Sequence, residues 1–217
     1  DRIPEAPLET GGAFATRSPR ERTVRRAREA MLGLGFDEAW SGSLASQAEA
    51  ALAAPLVGDA GDALVRLVNP MSRESEVLRP NLVPGLLRAV AHNLRQGADS
   101  VRLFEVGAGF APAAGPLPKE SLMLAAVVCG ARWRHTHDTS PSKPEQAYDP
   151  RGSADFFDAK GAFEAWLGEM RVDSPEWRAY SGAGWKPGAS AEVAVESSRI
   201  AWAGTLGRKF LEAWGIE

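Results

Sequence analysis

Apolar residues recur with helical spacing in several segments of the chain. The first segment follows Ser18-Pro19-Arg20-Glu21, which is typical of a capping box with proline at the first helical position, and Gly35 is placed to end the helix. An alanine-rich stretch from Gln47 to Ala54 predicts a short second helix, Pro84 can open a third, and Asp155–Met170 predicts a fourth. The apolar stripe of the third helix consists of Val83, Leu86, Leu87, Val90, Ala91 and Leu94.

Shorter apolar stretches between these helices predict strands. Leu122–Cys129 is a continuous apolar run, which is typical of a central strand covered on both faces. Residues alternate on either side of Ser197-Ser198, which predicts a β-hairpin, and a last short helix begins at Phe210. The other predicted strands are Phe36–Leu44, Leu64–Val68 and Val101–Val106, and the hairpin arms are Glu192–Glu196 and Arg199–Ala203. This order of elements predicts an α+β domain with a mainly antiparallel sheet flanked by helices.

Two segments lack any periodic pattern. Residues 1–17 are rich in proline, glycine and threonine, so we predict that they form a linker or extended arm. Residues 18–217 then form one core module. Within it, the polar and proline-containing stretch from about His135 to Ser153 predicts a long mobile loop.

Composition narrows the class of protein. The 217 residues include 25 basic and 28 acidic side chains, and this near balance argues against a protein that grips nucleic acid along its whole surface. The single cysteine, Cys129, excludes an internal disulfide and fits a reducing compartment. No apolar run approaches the roughly 20 residues that cross a bilayer. These observations favour a cytoplasmic domain without a membrane partner.

Glu105 is the titratable residue of most interest. On an alternating strand it shares a face with Val101 and Leu103, so its carboxylate is expected to be at least partly buried and to need a cation or hydrogen-bond donors. Candidate partners are Arg79, Arg88 and the backbone amides of Gly107-Ala108-Gly109. Arg79 precedes Pro80, which holds it in an extended conformation. An internal ion pair that fixes the sheet to its helix is a simpler interpretation than a catalytic acid or a phosphate clamp.

Other signals of chemistry are weaker. Gly107-Ala108-Gly109 lacks the third glycine of a phosphate-binding loop, so a turn between strands explains it better. His135, His137 and Asp138 have ligand-like spacing, but they begin the polar loop, and we expect no metal site there. The first helix carries five arginines, among them Arg25, which could meet RNA phosphates or acidic residues of another chain. No aromatic residues interleave with these arginines, which weakens the RNA interpretation.

The stretch from Asn69 to Phe110, and most specifically its part at 69–88, resembles the core of the β chain of bacterial phenylalanyl-tRNA synthetase. Its leucine and proline positions, Glu74, Arg79 and the glycine after Pro84 fit the family. Weaker similarities follow in the same order at Asp155-Phe156-Phe157-Asp158-Ala159-Lys160-Gly161, at Pro187-Gly188 and at Gly204. Two stretches depart from the family pattern, and no function tied to them is carried over. Lys186-Pro187-Gly188-Ala189 stands where the family has His-Pro-Gly-Arg, and Gly204-Thr205-Leu206-Gly207-Arg208 where it has Gly-Glu-x-His-Pro.

The resemblance implies the fold of a class II aminoacyl-tRNA synthetase catalytic core without its chemistry. In this family two α and two β chains form a heterotetramer that joins phenylalanine to its tRNA, and the α chain uses ATP and Mg²⁺. The synthetase-like module of β packs against α, and tRNA is contacted through other parts of the enzyme. Class II activity needs an arginine beside a glutamate on one face of a strand to bind ATP. Arg102 and Glu105 have the wrong spacing for this.

We therefore expect a non-catalytic module of a longer β chain that holds no cofactor of its own. The candidate structural or interface residues are Arg79, Glu105, Asn93 and Arg25. Two alternatives stay open, namely an independent class II-like enzyme that activates an amino acid, and a tRNA-binding module.

Overall fold

The computed structural model describes residues 16–57, 64–133 and 148–216. Within these ranges the helices are α1 (Pro19–Gly33), α2 (Gln47–Ala53), α3 (Val83–Arg95), α4 (Phe156–Met170) and α5 (Arg208–Glu212). Short 3₁₀ turns cover Ala54–Val57 and Arg73–Ser75. The predicted helices are confirmed, with ends that shift by a few residues at most. Residues 1–15 of the predicted arm lie outside the described residues, as do His135, His137 and Asp138.

The capping box predicted at the start of the first helix is present in α1. The Ser18 Oγ accepts a hydrogen bond from the Glu21 N–H at 3.2 Å, and the Glu21 carboxylate accepts one from the Ser18 N–H at 2.7 Å. These hydrogen bonds, above all the one from the Ser18 backbone, lower the pKa of Glu21. After the helix, Gly35 has a φ of +77°, which glycine adopts without steric cost. The chain can therefore leave the helix and enter the sheet within two residues.

The described strands form three sheets that are almost wholly antiparallel. The strands are β1 (Asp37–Glu38), β2 (Leu44–Ala45), β3 (Val77–Leu78), β4 (Ser100–Ala111), β5 (Lys119–Trp133), β6 (Tyr148–Ser153), β7 (Glu176–Ala179), β8 (Trp185–Val195) and β9 (Ser198–Leu206). The largest sheet has the order β1-β4-β5-β6, while β2 pairs with β3 and a third sheet has the order β7-β8-β9. Only the pairing of β1 with β4 is parallel among those described. The predicted α+β class is therefore confirmed.

Strand β4 lies between two helical layers, because its side chains alternate between opposite faces of the sheet. Val101 packs into a core formed largely by α3 and α5, where Leu87 is fully buried. Phe104 packs on the opposite face, in a core with Met31 of α1 and residues of α4. Helices thus cover β4 on both faces, and the odd-numbered position Glu105 lies on the α3 side.

Two strands predicted in the first third of the chain are wrong in extent. Phe36–Leu44 is not one strand because it changes partners along its length. The N–H of Ala39 donates to β4 at 2.7 Å, whereas the carbonyl of Ser43 accepts from the Arg79 N–H at 2.9 Å, just after β3. Only β1 and the beginning of β2 are strands within this segment. Leu64–Val68 is likewise reduced to one isolated bridge with β3.

The turn predicted at Gly107-Ala108-Gly109 is wrong, since β4 continues through it to Ala111. The pairing of β4 with β5 runs without interruption through these residues. Gly109 is explained by lack of space rather than by a turn. A Cβ atom there would lie 2.6 Å from the Pro80 carbonyl oxygen and 2.7 Å from the Met123 sulfur. A short distance between two segments, and not backbone flexibility, therefore favours glycine at this position.

Two predictions for the middle of the chain also need correction. Leu122, near the beginning of β5, is 46% exposed, so the strand is not covered on both faces along its whole length. It borders a groove beside Val24 on α1, where the helical layer ends. The predicted loop from His135 to Ser153 is too long, because its last six residues form β6 and pair with the end of β5.

The steric role of Gly109 can be tested by Gly109→Ala. We expect the free energy of unfolding, measured by urea denaturation, to fall by about 1–3 kcal/mol because the added Cβ overlaps the Pro80 backbone. The matched control is Gly161→Ala on the exposed side of α4, where an added Cβ meets nothing within 4 Å. This control should raise the free energy of unfolding by about 0.5–1 kcal/mol. Equal effects at the two positions would contradict the steric explanation.

Candidate functional site

Arg79, which directly follows β3, forms a buried ion pair with Glu105 in the middle of β4. The Arg79 Nη1 lies 2.7 Å from Glu105 Oε1, and the two side chains are only 6% and 1% exposed. Ser41 joins the pair, since its Oγ donates to Glu105 Oε2 at 2.6 Å and accepts from Arg79 Nη1 at 2.8 Å. Buried charges are tolerated when they are paired and hydrogen-bonded in this way. The predicted internal ion pair is therefore present.

The backbone around Arg79 is bound to the same strand as its side chain. The Arg79 Nε donates to the Ala108 carbonyl at 2.9 Å, and the Arg79 carbonyl accepts from the Phe110 N–H at 2.9 Å. The extended conformation imposed by Pro80 brings these groups alongside β4. One residue thereby connects β4, the segment after β3 and the segment around Ser41.

Two glycines leave space for this cluster. A Cβ at Gly107 would lie 2.5 Å from Arg79 Nη2, and one at Gly85, in the first turn of α3, would lie 2.1 Å from the Ser41 Oγ. Either would displace a member of the cluster. These glycines therefore allow the helix and the strand to approach the ion pair closely, which explains their positions without an anion-binding loop.

Arg102 lies on the opposite face of β4 from Glu105. Its guanidinium carbon is 5.3 Å from the centroid of the Phe36 ring, within the core that α1 and α4 cover. Burial lowers the pKa of Arg102, and the charge of Asp158 in the first turn of α4 opposes this shift. The two side chains do not converge, because residues three apart on a strand point to opposite faces. This pair therefore cannot supply both groups that a class II ATP site needs on one face.

The other candidates occupy separate places. Arg88, the alternative partner of Glu105, instead pairs with a carboxylate of α2 at 2.9 Å. Asn93 is half-buried on α3, and its Nδ2 donates to the carbonyl one turn earlier at 2.8 Å. Arg25 is exposed on α1 and pairs with Glu29 at 2.6 Å. Neither Asn93 nor Arg25 contacts the buried cluster in these interactions, and both stay candidates for an interface.

Ser41 is the member of the cluster that sequence reasoning missed. It is 64 positions from Glu105, and Ser41-Gly42-Ser43 signals no more than a turn. The only available clue was chemical, because a buried carboxylate has two oxygens and needs more donors than one guanidinium edge supplies. The neighbouring Trp40 was missed as well, and it is 90% exposed.

The described residues provide neither a cluster of metal ligands nor an activated cysteine. Within residues 16–57, 64–133 and 148–216, no group of three or more His, Cys, Asp or Glu side chains is placed to hold a metal ion. Cys129 is half-buried, and burial raises the pKa of its thiol, which makes it a poor nucleophile at neutral pH. None of the helices in the described part of the chain is long and apolar enough to span a membrane.

A family model described as the phenylalanyl tRNA synthetase beta chain CLM domain matches residues 3–217. The chain belongs to this family. Similar relatives include the phenylalanine–tRNA ligase beta subunits of Novosphingobium aromaticivorans, 38% identical over 156 residues, and of Vibrio cholerae, 34% identical over 200 residues. These matches cover 71% and 89% of this chain but only 19% and 23% of the relatives. The CLM domain described here thus spans about a fifth of the length of the curated relatives it matches.

Solved structures with a similar fold include pyrrolysyl-tRNA synthetase from Desulfitobacterium hafniense. One structure of that protein superimposes with a TM-score of 0.66, covering 93% of this chain and 63% of that chain, at 17% sequence identity. A second has a TM-score of 0.63 at 18% identity. Likeness at this level of identity concerns the fold alone. It confirms the predicted architecture of a class II synthetase core.

Loss of the buried guanidinium should be costly. For Arg79→Ala we expect the free energy of unfolding to fall by about 3–5 kcal/mol, because Glu105 would stay buried without its cation. Arg25→Ala is the matched control, since it removes an arginine from an exposed pair and should cost about 0.5 kcal/mol or less. Urea denaturation measures both. Similar losses for the two variants would show that the buried pair contributes no more to the free energy of unfolding than an exposed pair does.

Proposed function

We propose that this CLM domain is a non-catalytic structural module of a phenylalanyl-tRNA synthetase β subunit. In this proposal it packs on the α chain of an αβ heterotetramer and supports the ATP-dependent attachment of phenylalanine to its tRNA. ATP and Mg²⁺ belong to the α chain, and tRNA is bound mainly through other parts of the enzyme. The single cysteine and the family's part in translation support a cytoplasmic location.

The disposition of Arg102 and Glu105 carries this proposal. In an active class II core an arginine and a glutamate must face the nucleotide together. Here Glu105 is enclosed by Arg79 and Ser41, at 2.7 Å and 2.6 Å, while Arg102 lies in the core on the other side of the sheet. A carboxylate committed to an internal guanidinium is not available to a substrate. The geometry therefore favours a scaffold over an independent amino-acid-activating enzyme.

Exposed apolar side chains support a surface that another chain covers. Trp40 is 90% exposed beside the two-residue strand β1, which is the edge of the largest sheet. Large apolar groups on a surface often mark sites of protein association. Because Trp40 directly precedes Ser41, a contact here would also be coupled to the position of the buried cluster. We therefore propose that the α chain covers this edge.

Amino-acid activation provides the direct test of the non-catalytic role. The isolated protein should show no phenylalanine-dependent exchange of pyrophosphate into ATP above a no-enzyme control, because its strand lacks a convergent arginine and glutamate. The assay should be run beside the α–β enzyme assembled from the same source, which should be active. Exchange by the isolated protein above the no-enzyme control would overturn the proposal.

Association with the α chain tests the structural role. Size-exclusion chromatography with light scattering should give a defined mixed complex with purified α chain, and Trp40→Ala should weaken this association at least tenfold. Phe157→Ala, at another exposed aromatic residue, is the comparison variant. Since Trp40 is almost fully exposed, its removal should leave the urea midpoint unchanged. Equal losses for both variants would remove the assignment of the β1 edge, and no complex with folded wild-type protein would contradict the structural role.

A further inference from the structure

Helices α2, α3 and α5 border an open groove of about 500 Å³ that the proposed role leaves unexplained. Its floor is apolar and includes Leu52, Ala91 and the ring of Trp214. Along one side stand three cationic or titratable groups of α3, which are Arg88, His92 and Arg95. Their spacing of four and three residues places them in a row about 10 Å long on one face of the helix.

Two donors that line this groove have no acceptor among the described residues. Arg88 pairs with Glu49 at 2.9 Å, but no interaction with another described residue involves the Arg95 guanidinium. The indole Nε1–H of Trp214 is buried and has no hydrogen-bond partner among the described residues. A cation in the last turn of α3 is favoured by the helix dipole, but the dipole does not explain the unpaired indole N–H. The exposed Arg95 guanidinium would gain from an acceptor oxygen supplied by a ligand. The Trp214 indole is enclosed by the fold and therefore serves as a reporter at the base of the groove.

We propose that this groove binds an acidic helical segment of the α chain, an inference that rests on the proposed function. Carboxylates one turn apart on such a helix would meet the exposed side chains of Arg95 and His92. Apolar residues between them would cover Leu52 and Ala91. The charge is complementary to an acidic segment, and a helix lying along α3 matches the row of donors.

The same features favour protein over RNA. Base recognition in single-stranded RNA relies on exposed aromatic faces, whereas the Trp214 side chain is 9% exposed and forms the floor. α3 and α1 cover opposite faces of β4. In a heterotetramer with two α chains, one β module can have two α neighbours, so both sides of the module can be covered.

The Trp214 indole signal gives a local test in the complete chain. In a ¹⁵N-labelled sample, with the signal assigned by Trp214→Phe, addition of purified α chain should shift the Trp214 Nε1–H resonance. The indole N–H groups of Trp177 and Trp202 are also buried and have no acceptor in the described part of the chain. They lie in the β7-β8-β9 sheet, outside the groove, and provide internal controls that should not shift. Transfer RNA is added in a parallel titration.

A charge reversal tests the electrostatic part. Arg95→Glu should weaken α-chain binding at least tenfold and flatten its dependence on NaCl concentration. Arg178→Glu, on β7 and outside the groove, changes the net charge equally and should leave the affinity within twofold. An unchanged urea midpoint of each free variant shows that it is folded.

The outcomes separate the two proposals. If the α chain fails to bind folded wild-type protein, the proposed function fails together with the groove assignment. If it binds wild type and Arg95→Glu equally well and leaves the Trp214 signal in place, only the groove assignment is wrong. A Trp214 signal that moves with tRNA but not with the α chain would assign the groove to nucleic acid and overturn the inference.

Discussion

The buried pair of Arg79 and Glu105 is the interaction on which the arrangement of the largest sheet depends. A carboxylate in the middle of a buried strand must be neutralised within a few ångströms, so its partner cannot be placed freely. Arg79 satisfies it only because Pro80 extends the backbone alongside β4 and because glycine at positions 85 and 107 leaves space. Pro80, Gly85 and Gly107 are thereby all explained by the need to neutralise the Glu105 carboxylate.

The sequence was most informative where structure is determined locally. The capping box at Ser18, the apolar stripe of α3 and the alternation on either side of Ser197 each act within a few residues, and the structure confirms all three. Arg79 was also one of three candidate partners named for Glu105, because a buried charge must be compensated. The requirement that a buried charge be compensated thus pointed to a contact between distant residues, which local sequence patterns do not record.

The incorrect predictions share one cause. They concern contacts between segments that are distant in the sequence, which local patterns do not reveal. Phe36–Leu44 has the composition of one strand, but it changes from one partner to another, and no local signal records that change. Gly107 and Gly109 suggested a turn because glycine usually marks one, yet here they make room for Arg79 and Pro80. Ser41 was missed for the same reason. Local patterns predict the elements, whereas close approach between elements depends on the assembled fold.

The buried cluster of Arg79, Glu105 and Ser41 also bears on how fold and chemistry are related in this family. Under the proposed function, strand β4 keeps its place between the two helical layers while its carboxylate is committed to an internal cation. The superposition on pyrrolysyl-tRNA synthetase, at 17% identity, concerns the fold and not the chemistry.

The way Arg79 lies against β4 has a further consequence, which concerns solubility. Strand β4 is twelve residues long, yet β1 pairs with only two of them. Beyond β1, the Ala108 carbonyl and the Phe110 N–H are occupied by the guanidinium and the backbone of Arg79, with Pro80 next in the chain. An unprotected strand edge of this length invites pairing with another molecule, and natural proteins block such edges with charge and proline. The residue that neutralises the interior therefore also guards the sheet against edge-to-edge aggregation.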